Sequence, residues 1–454
     1  MTKRIFSLFL TAIIALVCIS PAFSVSAYEP SGFTLNAKNA LLVSLDTGET
    51  LYEKGADEKV YPASITKIMT VMLMLESDSY NPDGKIAMTS EVLKMISGTG
   101  SSVSGLKSGE EITELDLVYL VLMSSFGDCA YLAAIKYGGS IDGFVDMMNE
   151  RAKQLGLKGT HYANPIGLHD EQNYTTARDT LVLTETALKN ETFKKVCETD
   201  RYPMPATNLS PARTLSTTNF LQDKTTNYYY SYAHGVKTGY TDEAGRCLVT
   251  TASYNGYNYI CILFGCTPRG AQRYEFIDSR NLYRWAFNNF EFKKVADSEN
   301  PICEIALDLS LEADFVPLYV EKGFVTVLPK EADASTITIE PHLKSKSVKA
   351  PVKKGDILGT ADVIYAEEVI GTVNLVAGQS VKKSTILTVL DALKRFFTSS
   401  YMILLYIIIA IAIILFIIAV IRMNSKRARR RRVKYVPYDE RKEEKNYYDD
   451  DFRY

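Results

Sequence analysis

The chain has 454 residues, room for two or three domains, and its 46% hydrophobic and 23% charged residues are ordinary proportions for a globular protein. A formal net charge of -2 gives no global basis for binding nucleic acid. Seven scattered cysteines without a Cys-x-x-Cys pair, beside only four histidines, give no zinc-ligand pattern, and neither a metal nor a cofactor is expected.

The N-terminus carries Lys3 and Arg4, an apolar stretch from Ile5 to Ile19, and the small residues Val25-Ser26-Ala27. This is the pattern of a secretory signal peptide, residues 1–27, cleaved after Ala27; the alternative is an uncleaved anchor helix. Export permits disulfides, but their pairing does not follow from sequence. Residues 38–54 predict two short strands around a turn at Asp46-Thr47-Gly48. A helix is predicted from at or near Ser64, with Ile65, Ile68, Met69 and Met72 at helical spacing. Further helices are expected around 113–124, 127–137, 141–155 and 177–190. Beyond about residue 235, "GRCLVTTASYNGYNYICILFGC" predicts two strands around Asn255-Gly256, and a helix near 271–288 contains the lone Trp285. From 293 to 378 the alternating runs "FVTVLP", "STITIEP" and "VIGTVNLVAG" predict a small all-β domain. Residues 379–400 form a partly helical connector.

Residues 401–421, "YMILLYIIIAIAIILFIIAVI", carry no charge and are long enough to cross a bilayer. "KRARRRRVK" (426–434) follows. The positive-inside tendency places the tail, 422–454, in the cytoplasm and everything before Tyr401 outside. Beside such a helix the basic run reads as an orientation signal that also touches anionic lipid, in preference to a nucleic-acid patch.

"YPASITKIM" (61–69) places Ser64 and Lys67 three residues apart after a proline. The same spacing recurs at Ser104/Lys107 and Ser380/Lys383, so spacing alone carries little. On a helix, positions i and i+3 share a face. A serine in a first turn lies beside unpaired N–H groups at the positive end of the dipole, which favours charge developing on an attacked carbonyl. Lysine serves as base only when partly neutral, and burial or a second cation lowers its pKa. Lys237, in "HGVKTGYTDEAG" (234–245), is the candidate second cation. Lys237-Thr238-Gly239 is predicted to begin a strand whose glycine lets a ligand approach the backbone, with Lys237 and Thr238 holding a carboxylate.

Together these stretches resemble the penicillin-binding proteins, most closely the serine D-Ala-D-Ala carboxypeptidases of low molecular mass, to which Ser-x-x-Lys and Lys-Thr-Gly belong. "PASITKIMT", "LKSGEEITELDLVYLVLMSS", "NPIGLHDEQNYTTARD" (164–179), "GVKTGYTDEAGRCLV" and "APVKKGDILGT" (350–360) carry the resemblance over about residues 30–378. It implies a mixed α/β catalytic domain of the penicillin-binding/serine β-lactamase type at residues 28–292, followed by the β domain and the C-terminal transmembrane helix. By match to the family motifs, Ser64 is the nucleophile, Lys67 its general base and Ser125 a proton relay. Lys237, Thr238 and Gly239 bind the terminal carboxylate. The N–H groups of Ser64 and Tyr240 form the oxyanion hole. The implied partners are the peptidoglycan stem peptide, β-lactams as inhibitors, and the membrane; the implied host is bacterial.

One motif departs from the family. Where it has Ser-x-Asn, this chain has Ser125-Phe126-Gly127, so an amide is missing. Loss of one preorganised polar contact commonly costs on the order of 10²–10³ in rate. A water, Ser124 or Asp128 is available to fill the space. The alternative to an active carboxypeptidase is therefore an impaired homologue that binds the wall as a scaffold. A β-lactamase fits less well, because "ETALKN" (185–190) has Lys189 where its loop needs Asn. Among other residues, His234 is expected ahead of the strand as part of the site wall. Arg178 is expected to fix a helix start with Asp179. The tyrosines of "NYYYSY" (227–232) are groove candidates. A full membrane span is read in place of the amphipathic C-terminal helix of many relatives.

Overall fold

The structure, a computed structural model, describes residue 30, residues 32–333 and residues 336–433. The expected signal peptide and the tail beyond residue 433 lie outside the described residues. Those described divide into two compact units. The first runs to Asp297 and includes Gly323–Glu340 and Asp362–Thr372; the second comprises Ser298–Lys322, Pro341–Ala361 and the chain from Val373.

In chain order, β1 (Asn39–Ser44) and β2 (Thr50–Lys54) precede a 3-10 turn (Ala63–Thr66) and α1 (Lys67–Glu76). Then come β3 (Lys85–Ala87), α2 (Ser90–Ile96), β4 (Glu111–Thr113), α3 (Glu114–Leu122), α4 (Gly127–Gly138) and α5 (Ile141–Gln154). They are followed by α6 (Ala177–Leu188), α7 (Glu191–Cys197), β5 (Arg201–Met204), β6 (Arg213–Ser216), β7 (Ala233–Thr241), β8 (Gly245–Tyr254), β9 (Tyr257–Cys266) and α8 (Tyr274–Asn289).

The central antiparallel sheet is ordered β2-β1-β9-β8-β7, leaving β7 at one edge. Its tight turns use the residues anticipated. Gly48 sits at φ +77° and donates to the Ser44 carbonyl, and Asn255 and Gly256 both take positive φ between β8 and β9. Strand alternation divides the sheet's side chains between two cores. Leu41 and Val43 of β1 join the core formed with α1, α3 and α4, while Ala40 and Leu42 join the core formed with α8. The apolar residues Ile65, Ile68, Met69 and Met72 are all buried in the first core.

Two short helices, α2 and α7, were not anticipated. Each has a side-chain cap: Thr89 accepts from the Val92 N–H, and Asn190 from those of Thr192 and Phe193. Lys237-Thr238-Gly239 does not begin a strand. β7 starts at Ala233, so it already contains His234, which is absent from the wall of the cavity described below. Gly235 makes the early start possible, because a Cβ there would overlap the Cys197 carbonyl group at the end of α7. Arg178 does not pair with Asp179. It bridges Glu53 at 2.7 Å and Asp57 at 2.8 Å, while Asp179 accepts from the Gly159 N–H and the Thr160 hydroxyl.

β10 (Phe290–Ala296) pairs antiparallel with β13 (Phe324–Pro329), and between them in the chain come β11 (Cys303–Asp308) and β12 (Phe315–Val320). β14 (Ile337–Leu343), β15 (Ser347–Lys349), β16 (Ile357–Tyr365) and β17 (Glu368–Ala377) complete an all-β region. Within the second unit β11 lies between β12 and β15, and β12 also pairs with β17.

Two helices end the described chain, α9 (Thr385–Phe397) and α10 (Ser400–Val433). Ser400–Arg427 of α10 is apolar and long enough to cross a membrane. This apolar helix does not take the place of an amphipathic one, because α9 is amphipathic. Ile386, Val389, Leu390, Leu393, Phe396 and Phe397 recur at helical spacing and are exposed. No disulfide joins the cysteines of the described residues, and five of the six are buried.

Candidate active site

Pro62 leads into the 3-10 turn that delivers Ser64 to a cavity of about 700 Å³. The α-helix itself begins three residues later, at Lys67. The amine of Lys67, a residue only 1% exposed, lies 2.9 Å from Ser64 Oγ and donates to the Ile166 carbonyl at 2.7 Å. Asn164 shapes the loop that supplies this carbonyl. Its Oδ1 accepts from the N–H groups of Ile166, Gly167 and Leu168. Gly167, at φ +78°, is pressed on the turn: a Cβ there would overlap the Ala63 carbonyl. Ala63 itself is held at φ +47°, a left-handed conformation that costs a non-glycine residue roughly 1–3 kcal/mol. Thr70 Oγ1 ties the same loop to α1 by donating to the Pro165 carbonyl at 2.6 Å.

Burial pulls the Lys67 amine from its ordinary 10.5 down to about 7, against a smaller upward pull from Asp128. Burial, and then the charge of Lys67, holds Lys237 well below its ordinary value. Repulsion between the two amines is mutual, so each disfavours the other's charged form, and burial is the larger cause for both. Lys237 is 1% exposed, donates to the Thr238 carbonyl at 3.0 Å and does not line the cavity.

Thr238, Gly239 and Tyr240 of β7 form one wall of the cavity. Thr238 Oγ1 donates to Thr218 Oγ1 at 2.6 Å. Gly239 brings β7 close to the turn: a Cβ there would lie 3.2 Å from the Ser64 nitrogen and 3.1 Å from the Pro62 carbonyl oxygen. Tyr240 is at the rim, its hydroxyl donating to Asp242 at 2.7 Å and its ring under the Arg246 guanidinium.

Ser125 lines the cavity from the link between α3 and α4, at φ +66°. Gly127 opens α4. Neither Ser124 nor Asp128 fills the space beside it. Ser124 Oγ is directed to the Ser216 carbonyl at 3.5 Å, and the Asp128 carboxylate takes the Ser104 hydroxyl at 2.6 Å and the Ser104 N–H. The group next to Gly127 is Ser101, whose Oγ a Cβ on residue 127 would overlap.

The family model for D-alanyl-D-alanine carboxypeptidases matches residues 24–267, and that for the C-terminal domain of penicillin-binding protein 5 matches residues 290–383. The chain belongs to the D-alanyl-D-alanine carboxypeptidase family. It is 30% identical to the D-alanyl-D-alanine carboxypeptidase DacF of Bacillus subtilis, over 86% of this chain and 97% of the relative. It is 33% identical to a D-alanyl-D-alanine carboxypeptidase of a Streptomyces strain, over 52% of this chain and 82% of the relative. Penicillin-binding protein 5 of Haemophilus influenzae shares the fold, with a TM-score of 0.62 at 24% identity over 78% of this chain and 99% of that one. A Streptomyces DD-transpeptidase superposes with a TM-score of 0.52 at 30% identity, over 57% of this chain and 99% of that one. A serine-type carboxypeptidase with a penicillin-binding-protein catalytic domain and a C-terminal all-β domain is thus established.

Sequence reasoning missed Arg273 and the segment Thr99–Ser102, both of which line the cavity. Arg273 precedes α8, its Nε donating to Glu275 at 2.6 Å and its guanidinium lying over the rings of Phe220 and Phe276. It supplies the cavity with a fixed cation that Lys237 does not. No local pattern marks it, because its nearest site partner, Phe220, is far away in sequence. The tyrosines of 227–232 are not part of the cavity wall; Tyr230 and Tyr232 pack on one another and on α8.

Proposed function

We propose that the chain removes the terminal D-Ala from peptidoglycan stem pentapeptides through an acyl-enzyme on Ser64. The observation that carries this reading is the buried Lys67 amine at 2.9 Å from the hydroxyl of Ser64, which lines the cavity. With its pKa near 7, Lys67 is substantially neutral at neutral pH. Its two N–H groups and one lone pair then divide between the Ile166 carbonyl and Ser64. The lone pair takes the Ser64 proton as Oγ attacks the carbonyl of the D-Ala-D-Ala bond. Backbone N–H groups of Ser64 and Tyr240 receive the oxyanion, a role that the approach of β7 to Ser64 supports.

The peptide lies extended along the free edge of β7. Its terminal carboxylate meets Thr238 and Gly239, with Arg273 as fixed cation. Lys237 responds from behind the strand: an arriving carboxylate favours its protonated form, and a charged Lys237 in turn keeps Lys67 neutral. Collapse of the tetrahedral intermediate expels D-Ala, whose amine takes the proton from Lys67 by way of Ser125. Water then attacks the ester, Lys67 again accepting the proton, and Ser64 is released. A β-lactam acylates the same serine.

Residues 28–292 are read as the catalytic domain, 293–378 as the β domain, 379–400 as connector and 401–421 as the span, with the catalytic side outside the cell and the tail inside. The apolar length of α10 supports an integral anchor. The protein is expected to stay in membranes washed with high salt, because hydrophobic insertion is not screened as surface charge is. Release by salt alone contradicts the anchor.

The second reading, a wall-binding homologue with impaired chemistry, is favoured by one observation, glycine at position 127 in place of the motif amide. D-Ala release from a pentapeptide by detergent-extracted full-length protein, beside Ser64→Ala, separates the two. Release that disappears in the variant supports the enzyme. Equal absence of release from both supports the binding protein.

A further inference from the structure

Thr99-Gly100-Ser101-Ser102 lines the cavity together with Thr238, Gly239 and Tyr240 of β7. The segment is fastened at both ends. The Ser102 carbonyl accepts from the Gly127 N–H at 2.8 Å, and the Ser102 hydroxyl donates to the Ser125 carbonyl at 2.8 Å. Two residues on, Ser104 is tied to the Asp128 carboxylate through its N–H and its hydroxyl. At the other end Thr99 Oγ1 donates to the Ile96 carbonyl at 2.8 Å and accepts from the Ser101 N–H at 3.3 Å. Ser101 is therefore held from both sides against the start of α4.

What holds Gly127 at this position is space. It is the first residue of α4 and takes an ordinary backbone conformation, where alanine is the better helix former. A Cβ there would overlap Ser101 Oγ and lie 3.1 Å from Ile96 Cδ1. The Ser101 hydroxyl thus occupies the root of the side chain that residue 127 lacks. The side chain is half-buried, lines the cavity with Ser64 and Ser125, and its hydroxyl makes no hydrogen bond among the described residues. An extended peptide on the edge of β7 turns half of its main-chain groups away from that strand, into the cavity that Ser101 lines.

We propose that Ser101 is a substrate-contacting residue, whose hydroxyl bonds a main-chain amide on the acyl side of the scissile bond, and that glycine at 127 admits it. A hydroxyl both donates and accepts, so it serves either edge of that amide. This inference rests on the peptide-cleaving reading of the cavity.

The test uses the full-length protein in detergent, with D-Ala release and thermal unfolding measured in parallel. Ser101→Ala is expected to lower kcat/KM about tenfold while leaving the unfolding temperature unchanged, and Ser101→Thr, which keeps the hydroxyl, to retain most of the rate. Gly127→Ala is expected to lower both rate and unfolding temperature. Ser101→Gly combined with Gly127→Ala is expected to regain the unfolding temperature but not the rate, the non-additivity of two groups that share one space. Unchanged kcat/KM in Ser101→Ala overturns the inference while a Ser64-dependent release leaves the main reading standing. Gly127→Ala that is as stable and as fast as the parent overturns it as well. A parent that releases no D-Ala removes the main reading and this contact with it, and the unfolding temperatures alone then report whether positions 101 and 127 compete for space.

Discussion

In one Ser-x-x-Lys pair of this chain the lysine is buried against the hydroxyl, and in another the two side chains serve different partners. Lys67 is enclosed by the core and reaches Ser64 at 2.9 Å. Ser104 instead gives its hydroxyl to the buried Asp128 carboxylate at 2.6 Å, and Lys107 is exposed, its amine on the Leu209 carbonyl at 3.1 Å. The spacing supplies reach only where the backbone is helical, and residues 101–107 are not. Desolvation does the rest. Burial lowers the Lys67 amine to about 7, whereas Lys107 lies in water. A hydroxyl already donating to a carboxylate is a structural group. A hydroxyl beside a poorly solvated amine has a base within reach, the arrangement that the proposed attack by Ser64 requires.

The sharpest way to break this contrast is to exchange the serines. Ser64→Ala is expected to lower D-Ala release by on the order of 10⁶, to background, with no covalent β-lactam adduct in the intact mass. Ser104→Ala is expected to keep the adduct.

The lysines sharpen it next. Lys67→Arg, whose guanidinium stays protonated, is expected to slow acylation by about 10²–10⁴. In the parent, single-turnover acylation is expected to rise as pH passes upward through about 7, because the neutral amine is the active form. A rate that falls across that interval contradicts the role of Lys67 as base. The same burial has a sign for stability. The folded-state pKa lies below the ordinary 10.5, so the unfolded chain binds more protons between about 7 and 10.5. This contribution to stability rises with pH through that window, and is read from denaturation midpoints at pH 7 and pH 9 in the parent against Lys67→Met.

The decoy pair gives the smaller effects. Ser104→Ala removes one hydrogen bond from a buried carboxylate and is expected to cost about 1–3 kcal/mol in denaturant unfolding. Lys107→Ala, a surface change, is expected to remain within about 0.5 kcal/mol.

What could be read from sequence followed the range of each interaction. The turns at Gly48 and Asn255-Gly256, the buried stripe of α1 and the long helices rest on local chemistry, and all were legible. So were Ser64 and Lys67 as neighbours, and Thr238 and Gly239 as part of the wall. The short helices α2 and α7 were missed because seven residues give almost no periodicity, although Thr89 and Asn190 were cap signals available to find them. The Ile166 carbonyl on Lys67, the burial of both lysines and the Ser101 hydroxyl beside Gly127 depend on contacts between distant segments. Position 127 shows this most plainly. In the sequence it is a lost amide; in the fold its space holds a hydroxyl from a segment 26 residues earlier.

The most direct test is peptide mapping of the full-length protein after reaction with a β-lactam. The account predicts one acylated peptide, containing Ser64, in the parent and in Ser104→Ala, and none in Ser64→Ala. An adduct on any other serine, or one that survives Ser64→Ala, contradicts it.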